Sequence, residues 1–133
     1  MGFSEHSLIL KNDGTLWGCG DNSYGELGLG DTTDRKIFTQ VTTNADNIKE
    51  VYCGGSYTII LKNDGTLWGC GANGGGQLGL GDTTDRTTFT QVTTNADDIK
   101  QVYCGCITLI RKRFNIVSIS SYLSKSSSVI CIF

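Results

Sequence analysis

Residues 10–20 and residues 61–71 spell the same letters, LKNDGTLWGCG, and the reading of this stretch decides the fold. In its second copy, Asn63-Asp64-Gly65 separates two apolar, β-prone runs, Tyr57 to Leu61 and Thr66 to Trp68. An Asp-Gly pair so placed signals a hairpin, because a type I′ turn needs positive φ at both central residues and these residue types reach it cheaply. Asp13-Gly14 repeats the signal. Working outward, Leu10 to Gly54 aligns with Leu61 to Gly105 without a gap, at an offset of 51 residues. Of 45 aligned pairs 37 are identical, and the differences, at 21, 23, 24, 26, 36, 37, 47 and 50, fall mostly in glycine-rich or polar connections. Residues 1–9 read as the tail of a preceding unit, since Ser7, Leu8 and Ile9 match Thr58, Ile59 and Ile60 in character.

Each unit predicts four short strands. After the hairpin and a long glycine-rich link, Thr88 to Val92 alternates in the β manner, and Ile99 to Tyr103 follows the polar Asn95 to Asp98. Four strands in about fifty residues is the size of a β-propeller blade. One blade alone buries too little to be stable, so blades stack on their neighbours. The expected fold class is therefore all-β, a partial β-propeller of four-stranded antiparallel blades, about two and a half of them in an incomplete ring. Residues 1–105 hold the repeats, as a part-unit 1–9 and units 10–60 and 61–105. Either a longer array or several copies would complete the ring.

The repeat stops abruptly at residue 106. All eighteen glycines lie at or before Gly105, acids vanish after Asp98, and Leu109 to Phe114 stands where Leu-Lys-Asn-Asp-Gly-Thr-Leu should recur. A shift of reading frame would account for the switch: with particular third bases, the codons of Cys106 to Ile110 read one nucleotide later as Ala-Ser-His-Ser-Leu, echoing His6-Ser7-Leu8. The alternative is a genuine serine-rich tail with a basic cluster at Arg111 to Arg113. On either account 106–133 should pack poorly, apart from an extension of the last blade over Ile107 to Ile110.

Charge is unevenly placed. Through Gly105 there are seven Lys or Arg against thirteen Asp or Glu, and thereafter four basic residues and no acid. Such acidic repeats repel phosphate backbones, which argues against a nucleic-acid partner. No apolar run approaches the twenty or so residues that span a bilayer, and no signal peptide is visible. The cysteines recur at the repeat period, Cys19 with Cys70 and Cys53 with Cys104, too far apart between neighbouring blades to bridge. They are expected to be small buried strand residues, and the compartment is left open with a lean to the cytoplasm.

Several segments imitate functional motifs. Gly69 to Gly74 spells G-x-G-x-x-G after a strand, but the glycines that follow disfavour the helix a dinucleotide-binding turn requires. Asp31 with Asp34, and Asp82 with Asp85, could offer oxygens to calcium. Two carboxylates fall short of its six to eight ligands, and each pair adjoins an Arg, so aspartate turns are expected instead. His6 is the single histidine and the repeated cysteines have no base beside them, which argues against nucleophilic catalysis. Trp17 and Trp68 recur at the repeat period and are expected between blades. No catalytic, cofactor-binding or metal-binding residue is assigned, and the chain is expected not to be an enzyme.

Leu16-Trp17-Gly18-Cys19-Gly20-Asp21-Asn22, followed by Gly25-Glu26-Leu27-Gly28-Leu29-Gly30, resembles the repeat of the regulator of chromosome condensation family. The second unit resembles it more closely, with Trp68 to Asn73 and then Gly76-Gln77-Leu78-Gly79. Cys53 to Leu61 matches a further family segment, with Tyr57 in place of the usual histidine. Arg35 and Arg86 stand where the family has Arg-x-x-Pro, with Phe38 and Phe89 at the proline position. The resemblance covers residues 2–105. It implies a propeller, commonly seven-bladed, that serves as a protein-binding platform. The leading expectation is a non-catalytic protein-interaction module with an unidentified partner and open blade edges that allow self-association. A structural segment of a bacterial or phage surface assembly is the alternative, and a guanine-nucleotide exchange role is a third reading that rests on resemblance alone.

Overall fold

A computed structural model describes residues 5–93, 99–103, 109–112 and 116–118. Among the described residues ten strands run β1 (His6–Leu10), β2 (Leu16–Gly20), β3 (Arg35–Val41), β4 (Ile48–Cys53), β5 (Tyr57–Lys62), β6 (Leu67–Gly71), β7 (Arg86–Val92), β8 (Ile99–Tyr103), β9 (Leu109–Lys112) and β10 (Ile116–Ser118). They form three antiparallel sheets, β1-β2-β3, β4-β5-β6-β7 and β8-β9-β10. The all-β, incomplete-ring architecture expected from the repeat is the one observed. No helix among the described residues is long and apolar enough to cross a membrane.

The phase of the blade differs from the order in which the strands recur in sequence. The complete sheet opens with β4, and β8, read above as the last strand after Thr88 to Val92, instead pairs with β9 in the next sheet. The reason lies in the connections. Residues 42–47 carry the chain from the outer strand of one sheet to the first strand of the next, and Ala45 is buried at that junction.

The Asp-Gly hairpin is present with a different turn. Gly65 N–H donates to Lys62 O at 3.0 Å and Lys62 N–H to Thr66 O at 2.9 Å, while only Gly65 has positive φ, at 86°. This is a type I turn closed by a left-handed glycine rather than a type I′ turn. Asp64 explains the choice, because its Oδ1 accepts from Thr66 N–H at 2.9 Å and Thr66 Oγ1 at 2.6 Å. That places Thr66 Oγ1 2.9 Å from Trp68 Nε1. The first unit repeats each bond at Asp13, Thr15 and Trp17.

Strand alternation sends Tyr57, Ile59 and Leu61 to one face of the complete sheet and Thr58 and Ile60 to the other. Each face builds a core with a neighbouring sheet. Ile60, Cys70 and Phe89 pack with Leu16, Val41 and Ala45 of the first unit, and Trp68 lies against this cluster. On the other side Ile59, Leu67, Leu78 and Val92 pack with Val102 of the third sheet. Fully burying a side chain such as Phe89 contributes about 1.5–3 kcal/mol. Close approach requires glycine at Gly28, where a Cβ would lie 2.7 Å from Phe89 Cε2.

The third sheet departs from the repeat. Tyr52 pairs with Ile59, so the repeat places Ile110 opposite Tyr103, but Leu109 stands there. A one-residue slip exchanges the faces of a strand. Backbone pairing also runs beyond the expected extension over Ile107 to Ile110, into Leu109–Lys112 and Ile116–Ser118. Cys106, Ile107 and Thr108 and residues 119–133 lie outside the described residues, as do Asn95 to Asp98, Cys104 and Gly105.

Candidate functional site

The glycine-rich link between the second and third strands of each unit carries most of the side chains singled out for chemistry. In the first unit Asn22, fully buried, holds the link together. Its Nδ2 donates to Asp31 O at 2.9 Å, Asp31 Oδ1 at 3.1 Å and Thr33 O at 3.2 Å, and its Oδ1 accepts from Leu27 N–H at 2.9 Å. Asn22 N–H is itself bound by Asp34 Oδ1 at 2.9 Å. Asp31 also accepts from Thr33 N–H and pairs with Arg35 Nη2 at 2.7 Å. The Arg35 bond, then that from Thr33 N–H, holds the Asp31 carboxyl below the usual carboxylate range.

The second unit reproduces this clamp. Asn73 bonds to Asp82 O, Asp82 Oδ1 and Thr84 O, accepts from Leu78 N–H at 3.0 Å and is bound by Asp85 Oδ1 at 2.7 Å, while Arg86 pairs with Asp82 at 2.6 Å. The four aspartates considered for calcium thus bind backbone amides, an asparagine and an arginine. Among the described residues no three His, Cys, Asp or Glu side chains gather to hold a metal. The sequence motif includes both asparagines but assigns them no role, because an Asn in a glycine-rich link reads as a turn residue. The signal available was that both units keep it while Asp21, Ser23 and Tyr24 around it change.

Gly69 to Gly74 contains no phosphate-binding turn. Gly69 to Gly71 complete β6, and the chain then turns at Asn73 into the clamp rather than into a helix. Trp68 joins the inter-blade cluster, as expected, and its ring also carries Lys62 Nζ at 4.3 Å from the centroid. Lys62 is nearly buried and crosses between units to Asp46 Oδ1 at 2.8 Å.

The cysteines divide by position. Cys70 is fully buried, and burial pushes its thiol well up, whereas Cys19 is half-buried and Cys53 is exposed. All three are free thiols. The expectation of uniformly buried cysteines is corrected for Cys19 and Cys53, and the cause for Cys19 is that its face of the first sheet lacks the covering that Cys70 receives.

His6 belongs to a junction between blades. Its Nε2 lies 3.0 Å from Thr58 Oγ1, and the Thr58 hydroxyl donates to Glu26 O at 2.7 Å. With that hydroxyl hydrogen committed, Thr58 can only accept from His6, which places the imidazole proton on Nε2. Burial lowers the His6 pKa, and Glu26 and Asp21 oppose the shift without reversing it. Beside this junction, Tyr24, Ser56, Tyr57, Gln77 and Asp85 border an open cleft of about 380 Å³.

These units match known proteins. The profile of the regulator of chromosome condensation (RCC1) repeat matches residues 13–61 and 64–107. The chain is 38% identical over 109 residues to the X-linked retinitis pigmentosa GTPase regulator of Mus musculus, covering 78% of this chain and 11% of that protein. It is 41% identical over 76 residues to the secretion-regulating guanine nucleotide exchange factor of Bos taurus, covering 56% of this chain and 16% of that protein. The crystal structure of Prp20p from Saccharomyces cerevisiae, a protein with binding properties to Gsp1p and histones, superposes with a TM-score of 0.66 at 25% identity, over 77% of this chain and 27% of that one. The chain therefore spans a small part of each relative. With two repeat matches covering most of its length and the same propeller sheets, the chain belongs to the regulator of chromosome condensation (RCC1) repeat family.

Proposed function

We propose that this chain is a non-catalytic propeller segment that binds another protein through its blade connections. The observation that carries the reading is the duplicated clamp around Asn22 and Asn73. The carboxylates and arginines most able to do chemistry are bonded the same way twice, as parts that hold a connection in shape. Rigid connections of this kind present variable side chains, here Tyr24, which is 47% exposed, beside the cleft. The fold alone carries no activity, so the partner is decided by those side chains. Capture on the immobilised chain, followed by titration with the purified captured protein, tests the proposal. Saturable binding weakened by Tyr24→Ala supports it, whereas no saturable partner, or turnover of a substrate by the chain, overturns it.

A nucleotide-exchange role is a second reading, favoured by the name of the bovine relative. Release of a fluorescent guanine nucleotide from a small GTPase distinguishes the two. Acceleration by the chain supports exchange, and an unchanged rate removes it.

A further inference from the structure

Resting on the protein-interaction reading above, we infer that the cleft between the first two units receives an arginine side chain from an extended segment of the partner protein. Half of the differences between the near-identical units converge on this cleft. Of the eight positions that differ, four lie in the glycine-rich link, and each places a residue on the lining: Tyr24 from the first unit, and Ala72, Gly74 and Gln77 from the second. The rest of the link is unchanged between units. Both walls come from within the chain and are fastened together beneath the cleft. Glu26 O accepts from Thr58 Oγ1 at 2.7 Å and from Cys70 Sγ at 3.4 Å, and a Cβ on Gly25 would stand 2.6 Å from Thr87 Cα. Tyr24 is therefore mounted on the second sheet through the two residues that follow it.

The substitutions clear the second wall and leave it one charge. In the first unit Asp21 accepts from Ser23 N–H at 2.8 Å and Ser23 Oγ at 2.6 Å, a pair of side chains absent at Ala72 and Gly74. Glu26 Oε2 accepts from Tyr24 N–H at 2.8 Å, whereas Gln77 Oε1 accepts from Gly75 N–H at 2.9 Å without bringing a second carboxylate, and its Nε2 is left to donate. Asp85 is then the charged side chain of the lining. Its Oδ1 takes Asn73 N–H at 2.7 Å, and its Oδ2 makes no bond among the described residues. Arg86, next in sequence, is engaged by Asp82 at 2.6 Å. A carboxylate oxygen and an exposed tyrosine ring in one cleft suit a guanidinium, which pairs through its planar fork and stacks on an aromatic face. A lysine ammonium gains the charge without the planar stacking, and a phosphate or carboxylate is repelled. The surplus of acid through Gly105, thirteen Asp or Glu against seven Lys or Arg, draws a basic segment in. At about 380 Å³ the open cleft is at the small end of ligand-holding sites, about 300–1,000 Å³, as suits one long side chain.

Titration of the isotope-labelled whole chain with a pentapeptide carrying one central arginine between serine and glycine, followed by amide NMR, tests this. The amides of Gly55, Gly74 and Gln77 should shift saturably, less with the lysine peptide and least with the uncharged citrulline peptide. Asp85→Asn keeps an oxygen for Asn73 N–H and should weaken binding about ten-fold, the worth of one charge-assisted hydrogen bond. Tyr24→Ala should weaken it where Tyr24→Phe does not, and Asp34→Asn, the same change in the clamp of the first unit, should leave it as in wild type. No saturable shift with the arginine peptide overturns the inference, as does equal binding of the lysine or citrulline peptide, or an Asp85→Asn chain that binds like wild type. A captured partner protein whose binding survives Asp85→Asn also overturns it, while leaving the interaction reading in place. Arginine-peptide binding at the cleft by a chain that captures no protein does the reverse.

Discussion

Strands β1 and β5 occupy equivalent places in consecutive units, yet β5 is buried along its whole length while β1 is half exposed. The same holds for Phe38 and Phe89, identical residues in near-identical strands, one 43% exposed and the other fully buried. The hydrogen-bonded ladder is the same around both, with Leu16 opposite Val41 and Leu67 opposite Val92. What differs is the neighbour. β5 and β6 lie between two packed sheets, and β1 and β2 have such a neighbour on one side. Local structure in this chain is therefore a property of the unit, and burial is a property of the interface.

The comparison makes unequal predictions for interface residues and equal ones for local residues. The largest effect is expected at Phe89→Ala, which should cost about 3–5 kcal/mol by emptying the inter-blade cluster. Phe38→Ala should cost less than about 1 kcal/mol, as surface substitutions do. Urea denaturation of the two variants measures the difference, and equal losses would break the comparison. Next, Asn73→Ala should cost about 1–3 kcal/mol, because Leu78 N–H is left buried without its acceptor. Asn22→Ala should match it closely, since the clamp contains the same bonds in both units. A clear inequality between the two would show that the neighbouring blade contributes to the clamp.

Gly65→Ala and Gly14→Ala form a smaller, sharper pair. Each residue has a φ of 86° with open space where the methyl would go, so only the left-handed backbone is penalised, by about 1–2 kcal/mol. Thermal unfolding of the two should shift alike. The smallest effect concerns His6. Its folded pKa is lowered by burial, so its contribution to stability is present above the unfolded value of 6.5 and is lost as pH falls through the folded pKa. The urea midpoint should therefore decline modestly below pH 6.5, and His6→Gln, which keeps a donor for Thr58, should flatten that decline. A decline that persists unchanged in the variant would assign it to the carboxylates instead.

The repeat, the strand positions and the Asp-Gly hairpins were legible in the letters because each depends on local backbone preference and on side-chain alternation within about ten residues. Residue type also marked Asp31 and Asp82 as turn aspartates. The turn class escaped that reading, since Asp64 and Thr66 compete for geometry through a side-chain bond that propensity does not describe. The role of Asn73 escaped it as well, because its partners at Asp82 and Thr84 meet it only when the glycine-rich link folds back on itself.

The sequence by itself determined that this is a strand-rich tandem repeat of the regulator of chromosome condensation type, because 37 of 45 paired residues recur and carry the same local preferences with them. Only the tertiary structure decided where a blade begins, that β8 opens a new sheet rather than closing the old one, and which of two identical phenylalanines becomes core. The physical reason is that strand propensity is settled by near neighbours along the chain, whereas sheet membership and burial depend on surfaces brought together from more than forty residues away, as Asn44 Nδ2 donating to Phe89 O across the first two blades illustrates.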